Sequence, residues 1–171
     1  MLEEKVMRQW IKKLIRWICT SFFKRTMKSA GKDLKINFPC YFTKKTVVGN
    51  NCSFNGIKIT GNGNVAIGDN FHSGKECLII TSNHNYDTGT KIPYDESYID
   101  GDVIIEDNVW VGSRVIILGG THIGEGAIIQ AGSVVVGDIP KLSIAGGHPA
   151  KPFKVRDEEH YYSLKEAKMF H

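Results

Sequence analysis

The chain has 171 residues, 42% hydrophobic and 23% charged, which is the composition of a soluble globular protein long enough for one domain with its own core. Four cysteines, Cys19, Cys40, Cys52 and Cys77, form no CxxC pair, which argues against a structural zinc site and a disulfide scaffold and fits reduced cytosolic thiols. The formal net charge of +4 is uneven: residues 1–32 hold nine Lys/Arg against Glu3 and Glu4, a net +7, leaving −3 for the remainder. A basic patch for nucleic acid is therefore not expected on the body of the protein.

At the N-terminus, Val6, Trp10, Leu14, Trp17, Ile18 and Phe22 recur at three- and four-residue steps, with Ile11 and Ile15 widening the stripe. Lys5, Arg8, Lys12 and Arg16 lie mostly on another side. Residues 1–31 thus read as a cationic amphipathic helix with Gly31 as its stop. Its apolar face either packs on the body or a neighbouring subunit, or enters a lipid interface while the bases of residues 1–28 meet anionic headgroups. Two tryptophans on so cationic a helix favour the membrane surface. No run approaches the ~18 apolar residues of a membrane span. Charges at Lys12, Lys13 and Arg16 interrupt any signal-peptide core. The expected location is cytoplasmic, peripheral on the inner membrane face where the helix binds lipid.

From residue 103 the sequence keeps a six-residue frame: VIIEDN, VWVGSR, VIILGG, THIGEG, AIIQAG, SVVVGD. The third position is aliphatic six times in succession (Ile105, Val111, Ile117, Ile123, Ile129, Val135), and the first is small or β-branched (Val103, Val109, Val115, Thr121, Ala127, Ser133). A helical 3.6 period is absent. Each hexad instead fits a short β-rung with two inward side chains and a Gly or Asx turn. Such rungs bury a face only by stacking, so the repeat predicts a β-helix. The same frame holds at Val65, Ile67, Phe71, Ser73, Cys77 and Ile79, and slips over residues 47–64, where the inward set is not fixed by pattern. From Ile67 to Ile105 the step is not a multiple of six, so residues 82–102, opening near TSNHNYD at 81–87, must leave the stack as a loop. Long excursions from a regular scaffold usually carry function.

IGDN at 67–70, NVWVGS at 108–113, IGEGAIIQAGSVVVGDIP at 123–140 and GGHPAK at 146–151 resemble the hexapeptide-repeat acyltransferases, specifically the maltose/galactoside O-acetyltransferase branch and its relatives in surface-polysaccharide biosynthesis. The resemblance spans about residues 47–156. It implies an all-β fold, a left-handed parallel β-helix of triangular section with three hexads per coil, assembled as a homotrimer, against the general right-handed crossover rule. With the helix at 1–31, this makes the acyltransferase domain 32–155 with its extruded loop 82–102, and the helix-forming composition of RDEEHYYSLKEAKMF at 156–170 predicts a helical cap over the open end of the prism at 156–171.

The resemblance also assigns residues. His84, with Asp87 in the family's His-x-x-Asp form, becomes the catalytic base, carried across a subunit boundary to acetyl-CoA on the neighbouring prism. Histidine suits the task, because a sugar hydroxyl is a poor nucleophile until its proton is taken and an unperturbed imidazole titrates near ~6.5. Asn83 or Asp87 would hold the imidazole tautomer. The backbone amide of Ser113 would meet the developing oxyanion. Trp110, pointing outward between Val109 and Val111, would line the pantetheine arm, with Ala131 and Gly132 small enough for its approach and Lys151 near a CoA phosphate. Relatives often carry a lysine where this chain has Gly137, a departure that implies either fewer phosphate contacts or substitution by Lys141. Asn55 and Asn83 fall to the acceptor.

No metal is expected: the zinc site of the related γ-class carbonic anhydrases needs two histidines five residues apart plus a third, and neither His122 nor His148 has that spacing. The function expected is acetyl-CoA-dependent O-acetylation of a sugar or glycan by direct transfer. N-acetylation of an antibiotic or amino sugar is the enzymatic alternative, and a membrane-recruited β-helical scaffold the non-enzymatic one.

Overall fold

The structure is a computed structural model; it describes residues 2–171, with the side chains of residues 7, 10, 11 and 13 onward. The chain enters through α1 (Leu2–Lys24) and then winds through short rungs: β1 (Ser29–Ala30), β2 (Lys35–Asn37), β3 (Thr46–Val48), β4 (Ser53–Thr60), β5 (Val65–Ile67) and β6 (His72–Ile80). An excursion holds β7 (Ser82–His84) and β8 (Tyr98–Asp100). The winding resumes with β9 (Val103–Ile105), β10 (Trp110–Val111), β11 (Ile116–Leu118), β12 (His122–Ile123), β13 (Ile128–Ile129) and β14 (Val134–Val135), and closes with β15 (Ser143–Gly147), β16 (Ala150–Val155) and α2 (Glu158–Glu166).

Three faces result, each a stack of parallel rungs, in a left-handed β-helix of about six turns. The first face is β1–β3–β5–β9–β12. The second runs β2, β4, β6, β10, β13 and β15. The third takes the far halves of β4 and β6 with β11 and β14. Register gives the coil length: Ile104 pairs with His122 eighteen residues on, whereas Val47 pairs with Ala66 and Ala66 with Ile104. The second coil therefore holds one residue above eighteen, and the third carries the twenty-residue excursion.

All twelve predicted inward positions of residues 103–135 are buried. Where the frame slips, the inward pairs are Thr46/Val48, Cys52/Phe54 and Ile57/Ile59. One residue is lost between the last two pairs and two are gained before Val65, which is why period alone could not find them. Phe42, Phe54 and Phe71 fill the axis with ring centroids 5.2 and 5.4 Å apart. Each fully buried aliphatic or aromatic side chain contributes about 1.5–3 kcal/mol of transfer free energy.

The corners need left-handed backbone. At one corner Asp33, Asn51, Asn70, Asn108 and Gly126 all have φ between 53° and 69°, which Asn and Asp tolerate better than other side chains. Asn51 Nδ2 donates to Asn70 Oδ1 and Asn70 Nδ2 to Asn108 Oδ1, each at 2.9 Å, so the turn residues also form a ladder.

Both ends depart from expectation. Helix α1 stops at Lys24, not Gly31. Gly31 serves a corner instead: a Cβ there would stand 2.4 Å from the Gly49 carbonyl oxygen, and Ser29 already pairs with Val47 in the first coil. The C-terminal part of α1 touches the body, with Arg16 donating to Asn37 Oδ1 (3.1 Å), Thr20 Oγ1 accepting from the Ile36 amide (3.2 Å) and Phe23 buried against Phe42. Met7, Trp10, Ile11, Leu14, Ile15, Trp17, Ile18 and Phe22 are exposed, so the stripe does not pack on its own protomer. The side chains of Lys5, Val6, Arg8 and Lys12 lie outside the described residues. No described helix is long and apolar enough to cross a membrane.

At the other end the helix expected from 156 does not cover the open end of the prism. Strand β16 extends the second face, pairing antiparallel with β15. Helix α2, N-capped by Asp157, lies along the Asn corner, where Tyr161 is buried over Gly126 and donates to Glu125 Oε1 at 2.8 Å. The tail then runs back to Asn51, whose amide donates to the His171 carbonyl.

Candidate active site

A second corner is built from successive coils at Asn37, Asn55, Gly74–Glu76, Gly112–Arg114 and Gln130–Gly132. Asn37 Nδ2 donates to Asn55 Oδ1 (2.7 Å), and Asn55 Nδ2 to the Ser73 carbonyl (2.8 Å). The Lys75 amide donates to Ser113 Oγ (3.1 Å) and the Gly132 amide to the Ser113 carbonyl (2.9 Å). Four sequence-nominated residues, Asn55, Ser113, Ala131 and Gly132, thus stand in one column, with rungs about 4.8 Å apart.

This corner is made tight by absent side chains. A Cβ on Gly74 would lie 2.4 Å from Ser113 N, and one on Gly112 2.5 Å from Ala131 N. Gly132 takes φ +74° and faces open space. The Ser113 N–H itself has no acceptor among the described residues, which leaves a backbone donor unpaired at the corner. Trp110 stands on the adjoining face in register with His72 and Ile128, exposed at 56%, between the buried Val109 and Val111. Lys151 is exposed on β16 opposite Gly146. Lys141 belongs elsewhere: its backbone meets Gly124 at the Asn corner, so it does not substitute for the lysine missing at Gly137.

His84 comes from the third corner. The neck of the excursion is closed by the Gly101 amide donating to the Thr81 carbonyl (2.8 Å) and by Thr81 Oγ1 accepting from Gly63 (3.0 Å). Beyond the neck β7 and β8 pair only with each other, His84 opposite Tyr98, forming a two-stranded arm. Its tip is ordered by Asp95, which accepts from Ser97 and Thr90. Those bonds, led by the Ser97 hydroxyl, hold its carboxyl far below the usual range.

The ring of His84 lies between two tyrosines. Tyr94 stacks on it at 3.7 Å between centroids and 16° between planes, and Tyr98 tilts against it at 4.4 Å. His84 Nδ1 is buried and has no hydrogen-bond partner among the described residues. The expectation that Asn83 or Asp87 holds the imidazole is therefore corrected. Asn83, adjacent on the strand, faces the opposite side of the ribbon, and the exposed Asp87 makes no hydrogen bond to the ring. Tyr94 and Tyr98 were not nominated; their one sequence signal was aromatic residues gathered in an otherwise polar loop. Asn37 and Gly74 were also missed, each lying one coil from a nominated residue.

Among the described residues no group of three or more His, Cys, Asp or Glu side chains has metal-site geometry. His122 faces outward, paired with Glu106 at 2.8 Å, and His148 lies in the turn joining β15 to β16. His84 and Ser113 thus stand at different corners of one prism, an imidazole on an arm and a backbone N–H on an edge.

Repeat, coil and corner together define a hexapeptide-repeat β-helix. Residues 102–137 match the family model described as bacterial transferase hexapeptide (six repeats). The chain is similar to a hexapeptide-repeat-containing acetyltransferase of Vibrio cholerae solved with acetyl coenzyme A, at 26% identity and TM-score 0.73 over 81% of this chain and 76% of that one. It is similar to a maltose O-acetyltransferase of Clostridium difficile at 29% identity and TM-score 0.65, over 88% and 87%. An N-acyltransferase of Bacillus cereus, at 20% identity and TM-score 0.64 over 88% and 95%, shares the fold. No curated protein sequence matches the chain. The chain thus carries the bacterial transferase hexapeptide repeat over residues 102–137 and is similar to hexapeptide-repeat acetyltransferases, a maltose O-acetyltransferase among them.

Proposed function

We propose that the protein transfers acetyl from acetyl-CoA to a sugar hydroxyl of a surface glycan, as a homotrimer in which the arm of one protomer reaches the Ser113 corner of the next. The observation that carries this reading is the separation just described: a histidine on a self-paired arm, and an unpartnered amide on a corner stripped of side chains. Neither can act alone. A threefold arrangement would bring the arm of one protomer to the Ser113 corner of the next.

The donor fits the lower part of the Ser113 corner. Ala131 and Gly132 present backbone without bulk, Trp110 offers an exposed ring beside it, and Lys151 supplies a cation for a phosphate. The acceptor lies on the other side of Ser113, next to Asn55, with Asn83 exposed on the arm. His84 takes the proton from the acceptor hydroxyl as its oxygen bonds to the thioester carbon. Charge developing on the thioester oxygen is met by the Ser113 N–H. When the carbon–sulfur bond breaks, the imidazolium returns its proton to the thiolate. No covalent enzyme intermediate is needed, since the thioester is already activated.

Helix α1 is assigned to the membrane. Its apolar stripe is uncovered, with Trp10 and Trp17 exposed at 70% and 68%, and residues 1–32 carry +7. Anionic vesicles are expected to float the full chain and not a chain truncated before residue 32; flotation of the truncated chain would remove the helix from this role.

The catalytic reading is tested by His84→Ala, which should lower turnover by about 10²–10⁴ with the trimer intact by light scattering. Near-normal turnover would remove His84 from the mechanism. Acceptor panels separate O- from N-acetylation, because only the ester product is labile to mild base.

A further inference from the structure

The first three coils bulge where the hexad frame slips, and the bulge opens a groove of about 640 Å³ beside the Ser113 corner. Asn37, Phe38, Tyr41, Asn55, Lys58 and Lys75 line it. None but Asn55 has yet been given a role. Its place in the column is specific. Asn37, Asn55 and Lys75 occupy the three coils before Ser113, whereas Ala131, Gly132 and Lys151 follow it. A donor on the later coils and a molecule in the groove would meet at the Ser113 amide.

The lining combines two chemistries. Phe38 and Tyr41 are exposed at 69% and 54%, a large apolar surface to leave wet and one that matches the C–H face of a sugar ring. Lys58 and Lys75 have no acidic partner among the described residues, and the nearby Glu76 is engaged by Arg114 at 2.7 Å. The groove therefore keeps two unneutralised ammonium groups, which suit phosphate oxygens.

The rim adds a third feature. Arg16 of α1 donates to Asn37 Oδ1 (3.1 Å), and Asn37 donates on to Asn55. Ile15, Arg16 and Cys19 share a cleft with Phe38. The helix carrying the exposed Trp10, Leu14 and Trp17 is thus anchored at the groove's own edge, so that a lipid surface under α1 would bring headgroups to its mouth.

We propose that this groove binds a glycan joined through a phosphate group to a membrane lipid: sugar against Phe38 and Tyr41, phosphate between Lys58 and Lys75, lipid chain leaving along α1. The proposal rests on the acetyltransferase reading for the chemistry done there, but the binding can be measured without it. A sugar linked to a soluble nucleotide has the same phosphate chemistry but no use for a rim built from an amphipathic helix.

The test uses the full chain and phosphatidylcholine vesicles with or without polyprenyl diphosphate. Wild type should bind the diphosphate-bearing vesicles preferentially, and the double variant Lys58→Gln/Lys75→Gln should bind them at least about tenfold more weakly. Its stabilisation by CoA in a thermal shift and its flotation on phosphatidylglycerol should stay unchanged. Unaltered binding by the double variant would overturn the proposal. Lysine-dependent binding of UDP-glucose in solution, with no preference for the vesicles, would overturn the lipid assignment. Failure of the wild type to respond to CoA would instead sink the acetyltransferase reading and leave the groove result standing.

Discussion

Tyr94 lies flat on His84, 3.7 Å between ring centroids and 16° from parallel, while no carboxylate touches the imidazole. The plane of the ring is set by aromatic packing within the arm, which under the proposed mechanism makes Tyr94 a positioning residue. Tyr94→Ala should lower kcat about 10–100-fold with little change in KM, because a displaced base loses alignment more than substrate loses contacts. Tyr94→Phe, which keeps the face and drops the hydroxyl, should restore most of it. Equal loss in both variants would show that stacking is not what matters.

Gly74 is required by the coil above the Ser113 amide. A methyl group there would press to 2.4 Å on that nitrogen, and the neighbouring atom is backbone, which cannot swing aside. Gly74→Ala should destabilise the fold by about 1–3 kcal/mol and displace the amide, lowering kcat beyond what loss of folded protein explains. Denaturant midpoints and turnover measured on the same preparation check both.

Thr121 occupies the inward position that Val103, Val109 and Val115 hold in the three preceding hexads. Its hydroxyl is buried with no hydrogen-bond partner among the described residues. Thr121→Val replaces that oxygen with a methyl group of similar volume and should stabilise the protein by about 1 kcal/mol, read as a raised unfolding midpoint. A lowered midpoint would mean that the hydroxyl has a partner.

Acid should release α2. Burial pushes the Glu125 carboxyl up, but hydrogen bonds from Lys165, Tyr161 and Asn108 outweigh it and hold the group below the usual carboxylate range. Burial and the bond to Glu125 push the Tyr161 phenol up. Since the folded state binds the Glu125 proton less readily than the unfolded state, this stabilisation is complete above about pH 5 and fades as pH falls below ~4.3 toward the depressed folded value. Amide exchange in residues 158–166 should accelerate over that window, and Glu125→Gln should flatten the dependence.

The regular coils were legible because their side chains report a periodic environment: Val or Ile at every third hexad position of residues 103–135 means one inward face repeated. The excursion was legible for the complementary reason, as the one long segment that the period could not hold. Over 47–64 the lost and gained residues cancel the pattern, so that Phe54 and Ile57 are inward by three-dimensional stacking and not by any count along the chain. Trp110 was found outward because its neighbours Val109 and Val111 were fixed inward. Asp87, by contrast, was nominated from its spacing to His84, and spacing along a loop does not specify distance across it.

A chain of hexads states by itself that it must coil, because a rung with two apolar side chains has nowhere to hide them except on another rung. That logic is local and additive, and it delivered the β-helix, the arm and the identity of the residues at its root. What packed against His84, which corner Ser113 shared with Asn55 and Gly132, and where α1 ended were matters of tertiary structure. Those relations join residues whose separation in sequence carries no period, and only the closing of three faces into one prism brings them together or sets them apart.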